Sequence, residues 1–138
     1  MDTAPVLALL QKQPFVQGFS PQQVDELATL AKEMHLERDQ ILFHEGEECS
    51  EFYLIISGSV ALEIAPPGGT FRVETLGAGD EFGWSSLLAG QGRQFQARVL
   101  RDTRVLAFEG ADLRAMCDQD TAFGYELMRR LLVVVAGR

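Results

Sequence analysis

Five consecutive apolar residues, Phe52-Tyr53-Leu54-Ile55-Ile56, restrict most strongly what this chain can fold into. The run is rich in aromatic and β-branched side chains and stops at Ser57-Gly58, so it predicts a strand. It lies inside a long region where the apolar period is two. Residues 35–38 and 41–44 precede it as short strands, with a turn at Glu45-Gly46-Glu47-Glu48. Residues 60–64 follow, and Pro66-Pro67-Gly68-Gly69 reverses the chain. Residues 70–76 alternate apolar Phe71 and Val73 with polar Arg72 and Glu74, as a half-buried strand does. Residues 95–100 and 103–108 complete the set, parted by Arg101-Asp102. About eight short strands at close spacing, broken by Gly and Pro turns, predict a β-sandwich or jelly roll.

Helical patterning brackets the strands. An apolar stretch with Val6, Leu7, Leu9 and Leu10 ends before Pro14, which fits a short helix and a turn. Ser20-Pro21-Gln22-Gln23 is a helix start, with Ser at the N-cap, Pro at the first helical position and Gln three residues after the cap. Val24, Leu27, Leu30 and Ala31 carry that amphipathic helix over residues 21–33. Residues 112–117 form a further short helix. Asp120 reads as the N-cap of the last one, whose stripe of Phe123, Leu127, Leu131 and Val135 is widened by Met128 and Leu132. Such width means burial against the barrel, against a partner helix, or both.

The chain of 138 residues forms one domain, with 46% hydrophobic and 23% charged residues and no repeat or low-complexity tract. Its formal charge of −8 and pI near 4.7 argue against direct binding of DNA or RNA and of anionic membrane surfaces. No apolar run has the length of a membrane span, and the start lacks signal-peptide character. Cys49 and Cys117 form no ligand-spaced set, so a reduced, cytoplasmic setting is expected.

Residues 77–98, GAGDEFGWSSLLAGQGRQFQAR, hold the chemistry. Gly77, Gly79 and Gly83 mark tight turns or close approaches. Trp84-Ser85-Ser86-Leu87-Leu88 can form a short helix whose first N–H groups lack intrahelical partners and suit an anion. Arg93 adds a planar cationic fork shaped for phosphate or carboxylate. The segment is therefore either an anion cradle or a loop closing the barrel, with Arg93 in a surface salt bridge. Catalysis has little support. Ser85 and Ser86 have no base placed by motif, and His35 and His44 lie on or beside strands. Glu45, Glu47, Glu48 and Glu51 match no calcium loop and read as a solvated cluster.

With these residues in hand, the order of helix, jelly-roll barrel and two C-terminal helices resembles a known family. It is the cyclic nucleotide-binding domain of the catabolite-activator and cAMP-dependent kinase regulatory-subunit superfamily. The resemblance is carried by Ile41-Leu42-Phe43-His44-Glu45-Gly46-Glu47, Phe52-Tyr53-Leu54-Ile55-Ile56-Ser57-Gly58-Ser59-Val60, Gly79-Asp80-Glu81-Phe82-Gly83 and Asp102-Thr103-Arg104-Val105-Leu106. It implies an α+β, mainly β fold, a double-stranded β-helix (jelly-roll) barrel over residues 34–109. An N-terminal helical segment (1–33) and C-terminal helices (110–138) flank it, and a phosphate-cassette-like segment spans 79–95.

The resemblance further implies that backbone N–H groups of residues 84–87 and the Arg93 side chain hold a cyclic phosphate. Val73, Phe82, Gly83, Trp84, Ser85, Ser86, Leu87, Arg93, Gln94 and Phe95 are the implied ligand-binding residues, with cAMP, cGMP or a related anionic ligand and no resident cofactor or metal. Three positions depart from the family pattern. Trp84 replaces a glutamate that accepts from the ribose 2′-hydroxyl, and Gln94 and Phe95 replace the Ser/Thr-Ala that follows the arginine. The lost carboxylate costs about 1–3 kcal/mol if the hydroxyl is buried unpaired. Trp84 and Phe95 can stack on a flat ligand or fill the cavity. The Phe-Gly-Trp-Ser run is similar to small stand-alone bacterial members. The reading is a non-catalytic ligand sensor, the alternative an interaction or dimerisation module with a filled pocket. A homodimer through the last helix is expected, and no helix-turn-helix is expected in the short stretch after residue 135, the chain being either a stand-alone module or a piece of a longer protein.

Overall fold

The computed structural model describes residues 3–44, 50–64, 67–87 and 95–137. Helix α1 (Ala4–Gln11) is followed by a single 3₁₀ turn, Pro14–Val16, and by helix α2 (Pro21–Leu30). The start of α2 closes as its spacing predicts: Gln23 N–H donates to Ser20 Oγ at 3.1 Å, and Ser20 N–H donates to Gln23 Oε1 at 2.9 Å. The helix stops at Leu30, short of the expected residue 33, because Ala31 is extended (ψ 143°). From Lys32 the chain pairs as a strand.

Six strands follow among the described residues: β1 (Lys32–Leu36), β2 (Ile41–Phe43), β3 (Glu51–Ile64), β4 (Phe71–Gly77), β5 (Glu81–Phe82) and β6 (Gln96–Glu109). They form one antiparallel sheet in the order β1-β6-β3-β4, with β2 on β6 and β5 on β3. Two expected breaks are absent. Residues 52–56 and 60–64 belong to a single bent strand β3, and residues 96–100 and 103–108 to a single strand β6, with Phe95 just ahead of it. Register shifts between Ile55 and Val60 absorb the bend where Ser57-Gly58 suggested a stop.

The apolar run 52–56 is continuous because both faces of the sheet are covered. Phe52 and Leu54 join Leu106, Phe108, Leu10, Leu27, Phe123 and Leu127 in the core between sheet and helices. Tyr53 and Ile55 face the other way, packing with Val60, Leu62, Phe82, Ala97, Val99 and Val105. Strand β4 departs from the expected half-burial. Phe71 is 58% and Val73 48% exposed, and of its residues Leu76 is the buried one.

Helix α3 (Gly110–Gln119) is longer than the expected 112–117, and α4 (Thr121–Gly137) follows at once. Asp120 caps α4, its Oδ1 accepting from Phe123 N–H at 3.1 Å while Oδ2 accepts from Gln23 Nε2 at 3.1 Å. The backbone bond from Phe123, and then the Gln23 amide, hold the Asp120 carboxyl below the usual carboxylate range. A depressed folded pKa contributes stability that is present above the unfolded value and is lost as pH falls through the folded one. Asp120→Asn keeps an N-cap acceptor but cannot titrate. Urea melts at neutral pH and near pH 3 are therefore expected to differ less for Asp120→Asn than for the parent; equal pH dependence refutes this.

Candidate ligand-binding site

The turn ahead of the cassette is sewn to β3. Gly79 N–H donates to Ile55 O and Ile55 N–H to Asp80 O, both at 2.9 Å, and Gly77 N–H donates to Asp80 Oδ2 at 2.8 Å. Gly79 and Gly83 each have φ of +87°, a conformation other residues adopt only under strain. Gly83 aims the chain into a 3₁₀ turn, Trp84–Leu87, which Ser86 N–H closes by donating to Gly83 O at 3.0 Å.

Two residues outside the sequence expectation hold that turn in place. Arg114 on α3 donates from Nη1 to Ser86 O. Gly110, the first residue of α3, lies so close that a Cβ there would sit 2.2 Å from the same carbonyl oxygen. The 3₁₀ turn therefore rests on the start of α3. A glycine opening a helix was the one signal that could have marked this contact.

The expected site residues separate into two cores. Trp84 is only 6% exposed and packs against Phe52 and Phe15, with ring centroids 4.6 and 6.1 Å away. It thus fills the core beneath the helices; of the two roles left open for it, stacking on a flat ligand or filling the cavity, this packing matches the second. Leu87 joins that core, and Ser86 is fully buried, its Oγ without a hydrogen-bond partner. Phe82 belongs to the other core, stacked 4.8 Å from Tyr53, and Phe95 packs against the same group. Val73 stands exposed on β4. Arg93, Gln94 and the side chain of Ser85 lie outside the described residues, as do Glu45, Glu47, Glu48 and Cys49.

Other chemistry finds little footing here. Burial, then Asp118 and Asp120, push the Cys117 thiol above its usual value, so at neutral pH it is protonated and a poor nucleophile. His35 is a surface side chain 3.6 Å from Glu33. Among the described residues, no three His, Cys, Asp or Glu side chains gather as a metal needs, and no helix is long and apolar enough to cross a membrane.

Comparison with known proteins places this geometry in context. The sequence profile of the cyclic nucleotide-binding domain matches residues 33–120, which include all of the sheet but its first residue, and the cassette. A Rhodopseudomonas palustris protein named as a potassium channel is 26% identical over 131 residues, 95% of this chain. The cyclic AMP receptor protein of Thermus thermophilus is 31% identical over 104 residues, 75% of this chain. The chain spans 31% and 48% of these two relatives' lengths. The crystal structure of a cyclic nucleotide-binding domain from Methylobacillus flagellatus superposes with a TM-score of 0.81 at 23% identity, covering 99% of this chain and 77% of that one. The jelly-roll fold is shared, and the chain belongs to the cyclic nucleotide-binding domain family.

Proposed function

We propose that the chain is a non-catalytic, cytoplasmic sensor that binds a cyclic nucleotide, cAMP or cGMP, at residues 82–87 and 93–95, with Val73 at the rim. The observation that carries this reading is the Gly83 turn feeding a 3₁₀ segment clamped by Arg114 and Gly110. Such a clamp holds backbone N–H groups in a fixed array, which is what an anion cradle needs. The Thermus thermophilus relative's name, cyclic AMP receptor protein, supports the choice of ligand. DNA and RNA are not direct partners in this reading, given the charge of −8.

Ligand binding would act on α4 through Trp84. The tryptophan belongs to the cassette, yet its ring packs with Phe15 in the core that also receives Phe123 and Leu127 of α4. A cassette ordered by ligand biases that packing, a two-state shift of the kind used by ligand switches.

Calorimetric titration of nucleotide-stripped protein with cAMP and cGMP is expected to give micromolar affinity. Arg93→Ala removes a charge-assisted hydrogen bond, and roughly a tenfold to hundredfold loss of affinity is expected. No heat and no thermal shift at millimolar nucleotide refutes the ligand. Unchanged affinity in Arg93→Ala refutes the cradle.

The outer face of α4 also points to a homodimer. Tyr125, Met128 and Leu132 lie on one face at helical spacing and are 67%, 38% and 69% exposed. These are apolar side chains that a second copy of α4 would cover. Light scattering at high micromolar concentration is expected to give a dimer mass, and a strictly monomeric mass refutes it.

A further inference from the structure

Among the described residues Glu63, near the end of β3, is the one charged residue that is buried, at 5% exposure. A carboxylate that deep is costly unless it is paired and hydrogen-bonded. Its Oε1 accepts from Gln96 Nε2 at 2.8 Å and from Arg98 Nε at 3.0 Å. Gln96 is buried as well, while the Arg98 side chain keeps 32% of its surface in solvent. Both donors belong to β6. Gln96 is its first residue and stands opposite Glu63, and Arg98 stands opposite Ala61.

The network sits where the backbone alone specifies register poorly. The β3–β6 ladder shifts between Ser59 and Val60, so the pairs from Val60–Val99 to Glu63–Gln96 carry the register up to the start of β6. On one side of them β3 and β4 shift between Leu62 and Glu63; on the other, β2 and β6 shift between Ile41 and Phe43. A slip of one residue turns every side chain of a strand to the opposite face. Phe95, next to Gln96, packs against the core of Tyr53, Leu62 and Phe82, and a slip would take it out of that core. A slipped β6 would also leave Glu63 buried without its donors. Replacing a buried ion pair by apolar side chains is often neutral for stability, so what such a pair adds is a penalty on the wrong arrangement.

From this arrangement we infer that Glu63 is a positioning residue: through Gln96 and Arg98 it locks the register in which β6 leaves the cassette. The inference deepens the proposed function and rests on it, because Arg93 and Gln94 are the residues whose placement the lock serves. Three residues of chain span at most roughly 11 Å, so Arg93 is tethered close to Gln96. Glu63 does not touch the ligand; it acts through the strand.

Amide hydrogen exchange and cAMP titration test it together. Glu63→Leu on its own orphans two donors, so a triple variant, Glu63→Leu with Gln96→Leu and Arg98→Met, removes the whole network while keeping its volume filled. The melting temperature of the triple variant is expected to stay within about 5 °C of the parent. Amides of residues 96–99 are expected to exchange about tenfold faster or more, while those of residues 105–107, farther along β6, keep parent rates. Affinity for cAMP is expected to fall by about tenfold. Glu63→Gln, which keeps an acceptor oxygen, is expected to lose less on both counts than Glu63→Leu. Parent exchange rates at 96–99 overturn the lock. A melting temperature far below the parent's, or acceleration spread evenly along β6, marks a merely structural network and also overturns it. Faster exchange with parent affinity overturns the positioning role and leaves the nucleotide site standing. If the parent itself binds neither cAMP nor cGMP, the proposed function fails and the positioning role with it, whereas the exchange still decides the lock.

Discussion

Gly58→Ala is expected to destabilise the protein by about 3–5 kcal/mol, combining a left-handed backbone penalty with overpacking. Gly58 has φ of +110°, where an L side chain is strained. Its Cβ would stand 2.2 Å from Thr103 Oγ1 and 2.6 Å from Thr103 Cα. Thr103 cannot step aside. Its hydroxyl accepts from Ser59 N–H at 3.1 Å and donates to Arg101 O at 2.7 Å, which staples the bend of β3 to that of β6. Because backbone as well as side chain is in the way, Thr103→Gly should not rescue the alanine. A chain of this size loses roughly 3–5 °C of melting temperature per kcal/mol, so a fall of about 10–20 °C is expected. A urea midpoint within error of the parent, or rescue by Thr103→Gly, would show that the bend is looser than described.

Gly110→Ala tests the support beneath the cassette. The added methyl would meet Ser86 O at 2.2 Å and Ser86 C at 2.9 Å, both backbone atoms. Relief requires the 3₁₀ turn Trp84–Leu87 to move off α3, which strains the Arg114 bond to Ser86 O and shifts Trp84 against Phe52. The expected cost is about 2–3 kcal/mol from overpacking. Two further readouts separate this from a generic core defect. The emission of Trp84 should change in the folded variant, and cyclic-nucleotide affinity should fall by roughly tenfold. If melting, emission and affinity all stay at parent values, α3 does not set the position of the cassette. Arg114→Met, which removes the hydrogen bond without adding bulk, should reproduce part of the affinity loss and less of the instability.

Much of this architecture was legible because it rests on short-range rules. The capping box at Ser20 and Gln23 and the cap at Asp120 are i, i+3 contacts, so sequence spacing alone specifies them. The strand at 52–56 was legible because burial on both faces demands an unbroken apolar run. Motif order across residues 41–106 was enough to indicate the family. Arg93 and Gln94, singled out by the same resemblance, lie outside the described residues, so their role rests with the proposed titration.

Where the sequence misled, the deciding partner was distant. Ser57-Gly58 has the chemistry of a turn, yet the partner that makes it a bend within one strand is Thr103, on β6. Period-two alternation in 70–76 gives two faces but cannot say that Phe71 and Val73 meet no covering layer. Trp84 and Phe95 both looked like pocket aromatics, and only the packing assigns them to different cores. Nothing in the sequence marked Arg130, which the fold lays over the Phe19 ring. Caps, strands and family follow from the sequence because local hydrogen bonds and apolar period specify them. Which face a side chain meets, and which donor is left without a partner, is decided by elements far apart in the chain coming together.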